Sequence, residues 1–187
     1  MHNIPIVFVI DDDAAVRDAI RDLLLSVGHM AEAFSSAEEF LARRDPQVAG
    51  CLVLDVRLPG TSGLELQKRL QAQKDKIPII FISGYGDVPM AVQVMKAGAV
   101  DFLQKPFREQ DLLECVQAAL RRYQAQRENE EQVSGVLSGY RTLTKREREI
   151  MKLVVTGQIN KQIAAQVGLS EVTVKIHRAQ VMHKMGT

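Results

Sequence analysis

Polar and charged side chains follow four short apolar runs in the first part of the sequence, in each case starting within two residues of the end of the run. They are Asp11, Asp12 and Asp13 after the first run, Asp55 after the third, Ser83 after the fourth and Lys105 after the fifth. Because the carboxyl ends of parallel strands meet at one edge of a sheet, these side chains are expected to lie together. Converging carboxylates repel one another unless a cation neutralises them, and hard oxygen ligands suit Mg²⁺. The spacing therefore predicts a magnesium site.

A carboxylate in such a site can also act as a nucleophile and form an aspartyl-phosphate. This chemistry needs a metal and cationic or hydroxyl donors around the phosphoryl oxygens, which Lys105 and Ser83 would supply. Taken singly, each residue has an ordinary interpretation: Asp13 as a helix cap, Asp55 as a turn residue and Lys105 as a solvated cation. Their joint placement after four strands favours phosphoryl chemistry.

The elements that must position these residues alternate between strand-like and helix-like patterns over the first 125 residues. Strands are predicted at residues 7–10, 30–34, 51–54, 79–82 and 100–103. Each is short and has the apolar character of a central strand, and helical segments follow each one. This pattern predicts an α/β fold: a (βα)5 domain with a five-stranded parallel sheet over residues 1–125.

Helix boundaries in this domain can be predicted from local signals. An apolar stripe predicts the core face of the first helix, comprising Val16, Ile20, Leu23, Leu24 and Val27. Ser36 and Glu39 have the spacing of a capping box, which predicts the start of the second helix, expected to end near Arg43.

Residues 124–132 have almost no apolar face, which is typical of a linker. The segment could be a solvated extension of the preceding helix or a flexible tether. Ser134-Gly135 and Ser138-Gly139 are breakers that mark where any helix would stop. We therefore predict a linker at residues 126–140 and a second, all-α domain at residues 141–187.

Charge divides the chain at this boundary. Residues 1–140 carry 15 Lys and Arg against 20 Asp and Glu, whereas residues 141–187 carry 9 against 3, so that −5 and +6 sum to the net charge of +1. A basic second domain indicates an anionic partner, with nucleic acid the first candidate and an acidic membrane surface the second. A basic helix bundle that binds an acidic protein is a further alternative.

The second domain has the pattern of a helix-turn-helix. Thr144 and Glu147 form a capping box before a first helix, a second helix is expected from Asn160 to Gly168, and Ser170 caps a third. On the third helix Val174 and Val181 would face the core. The predicted DNA-facing residues are Lys175, Arg178 and Ala179, with Ile176 at the edge, and Lys161, Thr173 and Lys184 are predicted to hold phosphates.

The first domain resembles the receiver domain of two-component response regulators. The resemblance rests on Asp11-Asp12, the segment 54–60 around Asp55, Ser83-Gly84 and Lys105-Pro106-Phe107. It implies that Asp55 accepts phosphate from a sensor histidine kinase, that Asp11, Asp12, Asp55 and the Arg57 carbonyl hold Mg²⁺, and that Lys105 contacts the phosphoryl group. It also makes Ser83 the switch hydroxyl and Phe102 an aromatic that rotates inward, although ordinary core packing is the alternative for Phe102.

Two further segments narrow the resemblance to regulators of the FixJ/NarL type. Residues 86–92 and 95–102 are similar to FixJ-type receivers, which dimerise through the face of helix four and strand five when phosphorylated. Residues 143–149, 160–164 and 170–177 resemble the LuxR-type helix-turn-helix. Members usually add a fourth helix after the third, and this sequence stops at Thr187. Either this region is truncated or dimerisation on DNA is impaired.

Together these resemblances imply a phosphorylation-dependent transcriptional regulator, expected to be an activator. Its expected partners are a sensor histidine kinase, double-stranded promoter DNA, RNA polymerase and a second copy of the chain. Cys51 and Cys115 lie in apolar runs and suggest neither a disulfide nor a metal site, so a cytoplasmic location is expected. The apolar runs are shorter than the ~20 residues that cross a bilayer, so no membrane span is expected.

Three other functions compete with this interpretation. A phosphatase of the haloacid-dehalogenase class also uses an aspartate nucleophile, but Arg57 stands where its general acid would be, so only slow self-phosphorylation and autodephosphorylation at Asp55 are expected. A nucleotide loop at Gly84-Tyr85-Gly86 has the wrong glycine spacing. A receiver whose output is protein interaction is disfavoured by the basic second domain.

Overall fold

The computed structural model describes residues 4–84 and 88–186. The chain divides into two compact units, one extending to Gln126 and the other beginning at Arg127. The predicted nucleotide loop and the start of the FixJ-like segment at residue 86 fall partly outside the described residues.

The first unit is an α/β fold around one parallel sheet, as predicted. Its strands are β1 (Ile6–Ile10), β2 (Met30–Phe34), β3 (Gly50–Asp55), β4 (Ile79–Ser83) and β5 (Asp101–Gln104), in the spatial order β2-β1-β3-β4-β5. All four strand pairs are parallel. The prediction that every strand is central was wrong, because β2 and β5 are edge strands and neither is buried along its whole length.

Helices cover both faces of the sheet. They are α1 (Ala14–Ser26), α2 (Ala37–Arg43), α3 (Gly63–Ala72), α4 (Val88–Lys96) and α5 (Glu109–Thr142). Successive side chains of a strand point to opposite faces, so Phe8 and Ile10 pack on one side and Val7 and Val9 on the other. The first side carries buried residues of α2, α3 and α4, and the second carries those of α1 and α5.

Two local predictions in this unit need correction. Val27 does not belong to the core face of the first helix, because α1 ends at Ser26 and Val27 is exposed. Ser36 does cap α2 by accepting the Glu39 N–H, but the Glu39 carboxylate accepts from the backbone N–H and hydroxyl of Ser35. The start of α2 is therefore capped without the reciprocal bond of a capping box.

Helix α5 continues through both predicted breakers and ends at Thr142, so it includes the segment predicted as a linker. A glycine inside a helix costs only about 1 kcal/mol relative to alanine, which neighbouring helical residues can offset. Gly139 also has a packing role, because a Cβ atom there would lie 2.6 Å from the carbonyl oxygen of Lys184. The absence of a side chain thus allows a close backbone contact and does not end the helix.

Besides the C-terminal part of α5, the second unit contains α6 (Lys145–Val155), α7 (Asn160–Val167) and α8 (Glu171–Met185). Thr144 and Glu147 form the predicted capping box, and Ser170 caps α8 as predicted. Gly168 ends α7 in the left-handed conformation, with φ of 67°. The helices enclose a core of Ile150, Ile163, Ala164, Val167 and Val174.

Candidate metal centre and nucleic-acid interface

Three carboxylates converge at the carboxyl edge of the sheet. Asp11 and Asp12 follow β1, and Asp55 ends the adjacent strand β3. Each offers a ligand oxygen, and these oxygens lie within 4.8 Å of one another. Asp11 and Asp55 are buried whereas Asp12 is exposed, so the cluster opens to solvent on one side.

Lys105 joins this cluster from the loop after β5. Its Nζ lies 2.6 Å from an oxygen of Asp11 and 2.6 Å from an oxygen of Asp55. Charged hydrogen bonds of this length are strong, and one ammonium here partly neutralises two carboxylates. The structure therefore brings together Asp11, Asp12, Asp55 and Lys105, although 94 residues separate Asp11 from Lys105.

The pKa values of Asp11 and Lys105 reflect both their burial and their contact with each other. Burial raises the pKa of Asp11 above its ordinary 3.8, and the hydrogen bond from Lys105 offsets only part of this effect. Burial acts to lower the pKa of Lys105, but its bonds to Asp11 and Asp55 outweigh burial and raise it above 10.5. Lys105 is therefore a permanent cation at neutral pH.

Local backbone bonds hold the two buried carboxylates in place. An oxygen of Asp55 accepts the Arg57 N–H at 2.9 Å, and an oxygen of Asp11 accepts the Asp13 N–H at 3.0 Å. Asp13 is the N-cap of α1, which is the ordinary role foreseen for it. Arg17, which sequence reasoning did not single out, donates from Nη1 to the Asp11 carbonyl at 2.7 Å.

Ser83 and Phe102 lie on the two neighbouring strands. Ser83 ends β4 and is fully buried, and its carbonyl oxygen accepts the Lys105 N–H at 2.8 Å. Phe102 lies on β5, is partly buried, and packs against the core cluster that includes Val94 of α4. The static structure thus shows Phe102 in a packing role, and its movement stays a prediction.

Gly63 is a second positioning residue that sequence reasoning missed. It is the first residue of α3, where its N–H donates to the Val56 carbonyl at 3.0 Å beside the segment that follows Asp55. The sequence did carry a signal, because glycine is a poor helix former and stands here directly after the helix cap Ser62. Only the folded structure shows the reason, which is close contact with the Asp55 backbone.

The donor set fits Mg²⁺. All three side chains offer carboxylate oxygens, two of them buried and held by backbone N–H groups, and such hard oxygen ligands with an open side match the preference of this ion. The contribution of the Arg57 carbonyl stays a prediction.

Helix α8 is the helix predicted to lie in the DNA groove, and it has one buried face and one exposed face. Val174 and Val181 are buried as expected, whereas Lys175, Ile176 and Ala179 are exposed on the same helix. Arg178 is partly buried, and its Nη1 donates to the Asn160 side chain at 2.8 Å. Asn160 begins α7, so this bond ties the two helices of the helix-turn-helix together beside exposed Lys161.

The two remaining predicted phosphate contacts already have intramolecular partners. The hydroxyls of Thr173 and Ser170 lie 2.8 Å apart. The Nζ of Lys184 lies 2.7 and 2.9 Å from the two carboxylate oxygens of buried Glu147. Its ammonium therefore neutralises a buried carboxylate of the helical unit.

Comparison with known proteins matches each unit to a family. The response regulator receiver domain family matches residues 7–117, and the luxR family of bacterial regulatory proteins matches residues 141–187. Nodulation protein W of Bradyrhizobium diazoefficiens is 53% identical over 180 residues, covering 96% of this chain and 79% of that protein. The transcriptional regulatory protein FixJ of the same organism is 41% identical over 179 residues, covering 96% of this chain and 87% of that protein. The solved structure of the response regulator StyR has a TM-score of 0.89 at 47% identity, covering 98% of this chain and 92% of that chain.

The parallel sheet with its acid and lysine cluster defines a receiver domain, and the basic helical unit defines a DNA-binding domain. The chain belongs to the two-component response regulators that carry a LuxR-type DNA-binding domain, and it is a transcription regulator. Within the described residues, we find no helix with the length and apolar character needed to cross a membrane.

Proposed function

We propose that phosphorylation of Asp55 by a sensor histidine kinase switches this regulator and promotes its binding to promoter DNA. The observation that carries the proposal is the contact of the Lys105 ammonium with both Asp11 and Asp55 at 2.6 Å. A cation held at this position neutralises the nucleophile at rest and lies within reach of phosphoryl oxygens attached to Asp55.

In the transfer step, a carboxylate oxygen of Asp55 attacks the phosphorus of a phosphohistidine. The new O–P bond forms as the P–N bond breaks, and the electron pair returns to the imidazole nitrogen of the kinase. Lys105 and the Ser83 hydroxyl bind the phosphoryl oxygens. Mg²⁺ held by Asp11, Asp12, Asp55 and the Arg57 carbonyl would offset the charge that the transferred group brings.

Small phosphodonors can serve the same nucleophile, which gives slow self-phosphorylation. The acyl phosphate is later lost to water, and we propose that this step is slow because Arg57, two residues after the nucleophile, cannot act as a general base. Slow autodephosphorylation times the signal, and the chain turns over no other substrate.

Phosphorylation then shifts a conformational equilibrium in the receiver. Ser83 and Phe102 lie on adjacent strands β4 and β5, so movement of the hydroxyl toward the phosphoryl group can be accompanied by rotation of Phe102. We propose that this favours dimerisation through the α4 and β5 face. Three large apolar side chains of α4 are exposed and support this surface: Val88, Val92 and Met95.

Dimerisation brings two α8 helices to adjacent half-sites of double-stranded promoter DNA and raises the apparent affinity. Lys175, Arg178 and Ala179 would face the bases with Ile176 at the edge, and Lys161 and Thr173 would hold phosphates. We further propose that the bound dimer acts in the cytoplasm, recruits RNA polymerase and activates transcription.

The test is incubation of the full chain with acetyl phosphate and Mg²⁺, with intact mass and oligomeric state measured for wild type and Asp55→Asn. We expect one phosphoryl adduct and a shift to dimer in wild type, and neither in the variant. Absence of an Mg²⁺-dependent adduct under conditions that label a control receiver would exclude Asp55 as the phosphoacceptor. An adduct without dimerisation would refute the proposed coupling alone.

A further inference from the structure

The C-terminal part of α5 exposes four large apolar side chains. Val133, Val136, Leu137 and Tyr140 are 50%, 55%, 51% and 37% exposed. Contiguous exposed apolar side chains of this kind are typical of an interaction surface. All four residues belong to the second unit, so the surface can be considered within that unit alone.

One face of this segment has the spacing of a helix-pairing seam. Glu130, Ser134, Leu137 and Arg141 are separated by four, three and four residues, which places them along one stripe of an α-helix. Val133 and Ser138 flank the stripe, and all six side chains are exposed, whereas Val136 and Tyr140 lie to one side of it. We define these six residues as the α5 seam.

The α5 seam is complementary to itself when a second copy runs antiparallel. In the register centred between residues 135 and 136, Glu130 faces Arg141 of the other copy, and Arg141 faces its Glu130. The same register sets Leu137 against Ser134 and Val133 against Ser138, so that large side chains meet small ones. Opposite charges then pair at both ends of the contact, and apolar side chains pack between them.

A parallel pair has none of this complementarity. It would place Glu130 against Glu130 and Arg141 against Arg141, which repel at both ends. An isologous contact uses the same patch on both subunits, as the antiparallel register does. We infer that the α5 seam binds the same seam of a second copy of this chain in antiparallel orientation.

This contact differs from the phosphorylation-dependent dimerisation proposed above. It uses no residue of α4 or β5 and needs no phosphoryl group. It spans about three helical turns. A contact this short buries less surface than the ~1,200 Å² of a standard stable interface. The association is therefore weak and concentration-dependent.

The experiment measures self-association of full-length Asp55→Asn protein by sedimentation equilibrium, without any phosphodonor. In this background, failure of the α5 seam and failure of the phosphorylation switch are separate results. We expect a reversible monomer–dimer equilibrium that Leu137→Asn weakens at least tenfold. A monomer at every concentration, or a dimer unaffected by Leu137→Asn, would overturn the inference.

Charge reversal tests the register. Glu130→Arg or Arg141→Glu alone makes two repulsive pairs per dimer and is expected to reduce the association constant roughly tenfold. The double variant Glu130→Arg/Arg141→Glu restores opposite pairing and should return the constant to within about twofold. If the double variant associates no better than the single ones, the antiparallel register is wrong.

Glu128→Arg provides the matched control, because it makes the same charge change on the opposite face of the helix. Association should be unchanged in this variant. Equal weakening by Glu128→Arg and Glu130→Arg would show a general charge effect and overturn the assignment of the seam. Circular dichroism of each variant checks that helix content is retained.

Discussion

A Cβ atom at position 63 would lie 2.4 Å from the carbonyl oxygen of Asp55. Gly63 therefore permits α3 to begin directly against the backbone of the residue proposed to accept phosphate. We predict that Gly63→Ala destabilises the receiver by about 1–3 kcal/mol, as overpacking of buried sites does. Because the displaced atom belongs to Asp55, phosphorylation by acetyl phosphate should also slow.

The matched control is Gly135→Ala, which makes the same chemical change where no atom lies within 4 Å of the new Cβ. Because Gly135 lies inside α5, the higher helix propensity of alanine should raise the free energy of unfolding by roughly 0.5–1 kcal/mol. Denaturant unfolding of both variants measures the expected loss of stability in Gly63→Ala and the expected gain in Gly135→Ala. A Gly63→Ala protein as stable as wild type would show that the Asp55 segment can move aside.

Replacement of Lys105 is predicted to strengthen Mg²⁺ binding. The ammonium contacts two of the carboxylates that would bind the ion, so it competes for the same oxygens and repels the cation. We expect Lys105→Met to raise Mg²⁺ affinity about tenfold and Lys68→Met, on exposed α3 surface, to leave it unchanged. Titration calorimetry measures both constants. Weaker binding in Lys105→Met would mean that the lysine organises the site for the metal.

Two lysines of α8 should differ in their effect on DNA binding. Lys175 is exposed, whereas the Lys184 ammonium is bound to Glu147. Lys175→Ala should weaken binding, and because it removes one cation from the DNA-facing surface it should also reduce the slope of log affinity against log salt by about 1. Lys184→Ala should leave that slope unchanged. A reduced slope for Lys184→Ala would show that the lysine exchanges Glu147 for a phosphate.

The Glu147 carboxylate should make the helical unit sensitive to acid. The hydrogen bond from Lys184, followed by that from the Thr144 N–H, holds the pKa of Glu147 below its ordinary 4.5. A lowered folded-state pKa contributes stability that is present above pH 4.5 and is lost as the pH falls through the lowered value. Glu147→Gln should therefore be less stable than wild type at neutral pH, and the difference should shrink in acid.

Hydrogen exchange of the α6 and α8 amides measures this effect within the full chain. Glu149→Gln is the control, since Glu149 pairs with Arg146 on the surface and should contribute little. A difference between wild type and Glu147→Gln that stays constant through the acid range would rule out Glu147 as its source.

Much of the architecture could be predicted from local sequence patterns. Strand and helix periodicity, together with caps such as Thr144 and Ser170, depends on residues a few positions apart, so these elements are readable without a fold. The prediction failed where a local signal had an unseen tertiary context. Gly139 looked like a helix breaker, but it lies inside α5 and against the backbone of Lys184.

The sequence by itself determined which side chains follow the strands, and hence that Asp11, Asp55, Ser83 and Lys105 belong to one edge of a parallel sheet. Only the tertiary structure decided which of them touch. The contact of Lys105 with Asp11 spans 94 residues, and that of Lys184 with Glu147 spans 37. Periodicity carries no information at such separations, because side-chain partners are chosen by packing between elements. For that reason the pairing of Lys184, a predicted phosphate contact, with buried Glu147 could not be read from the sequence.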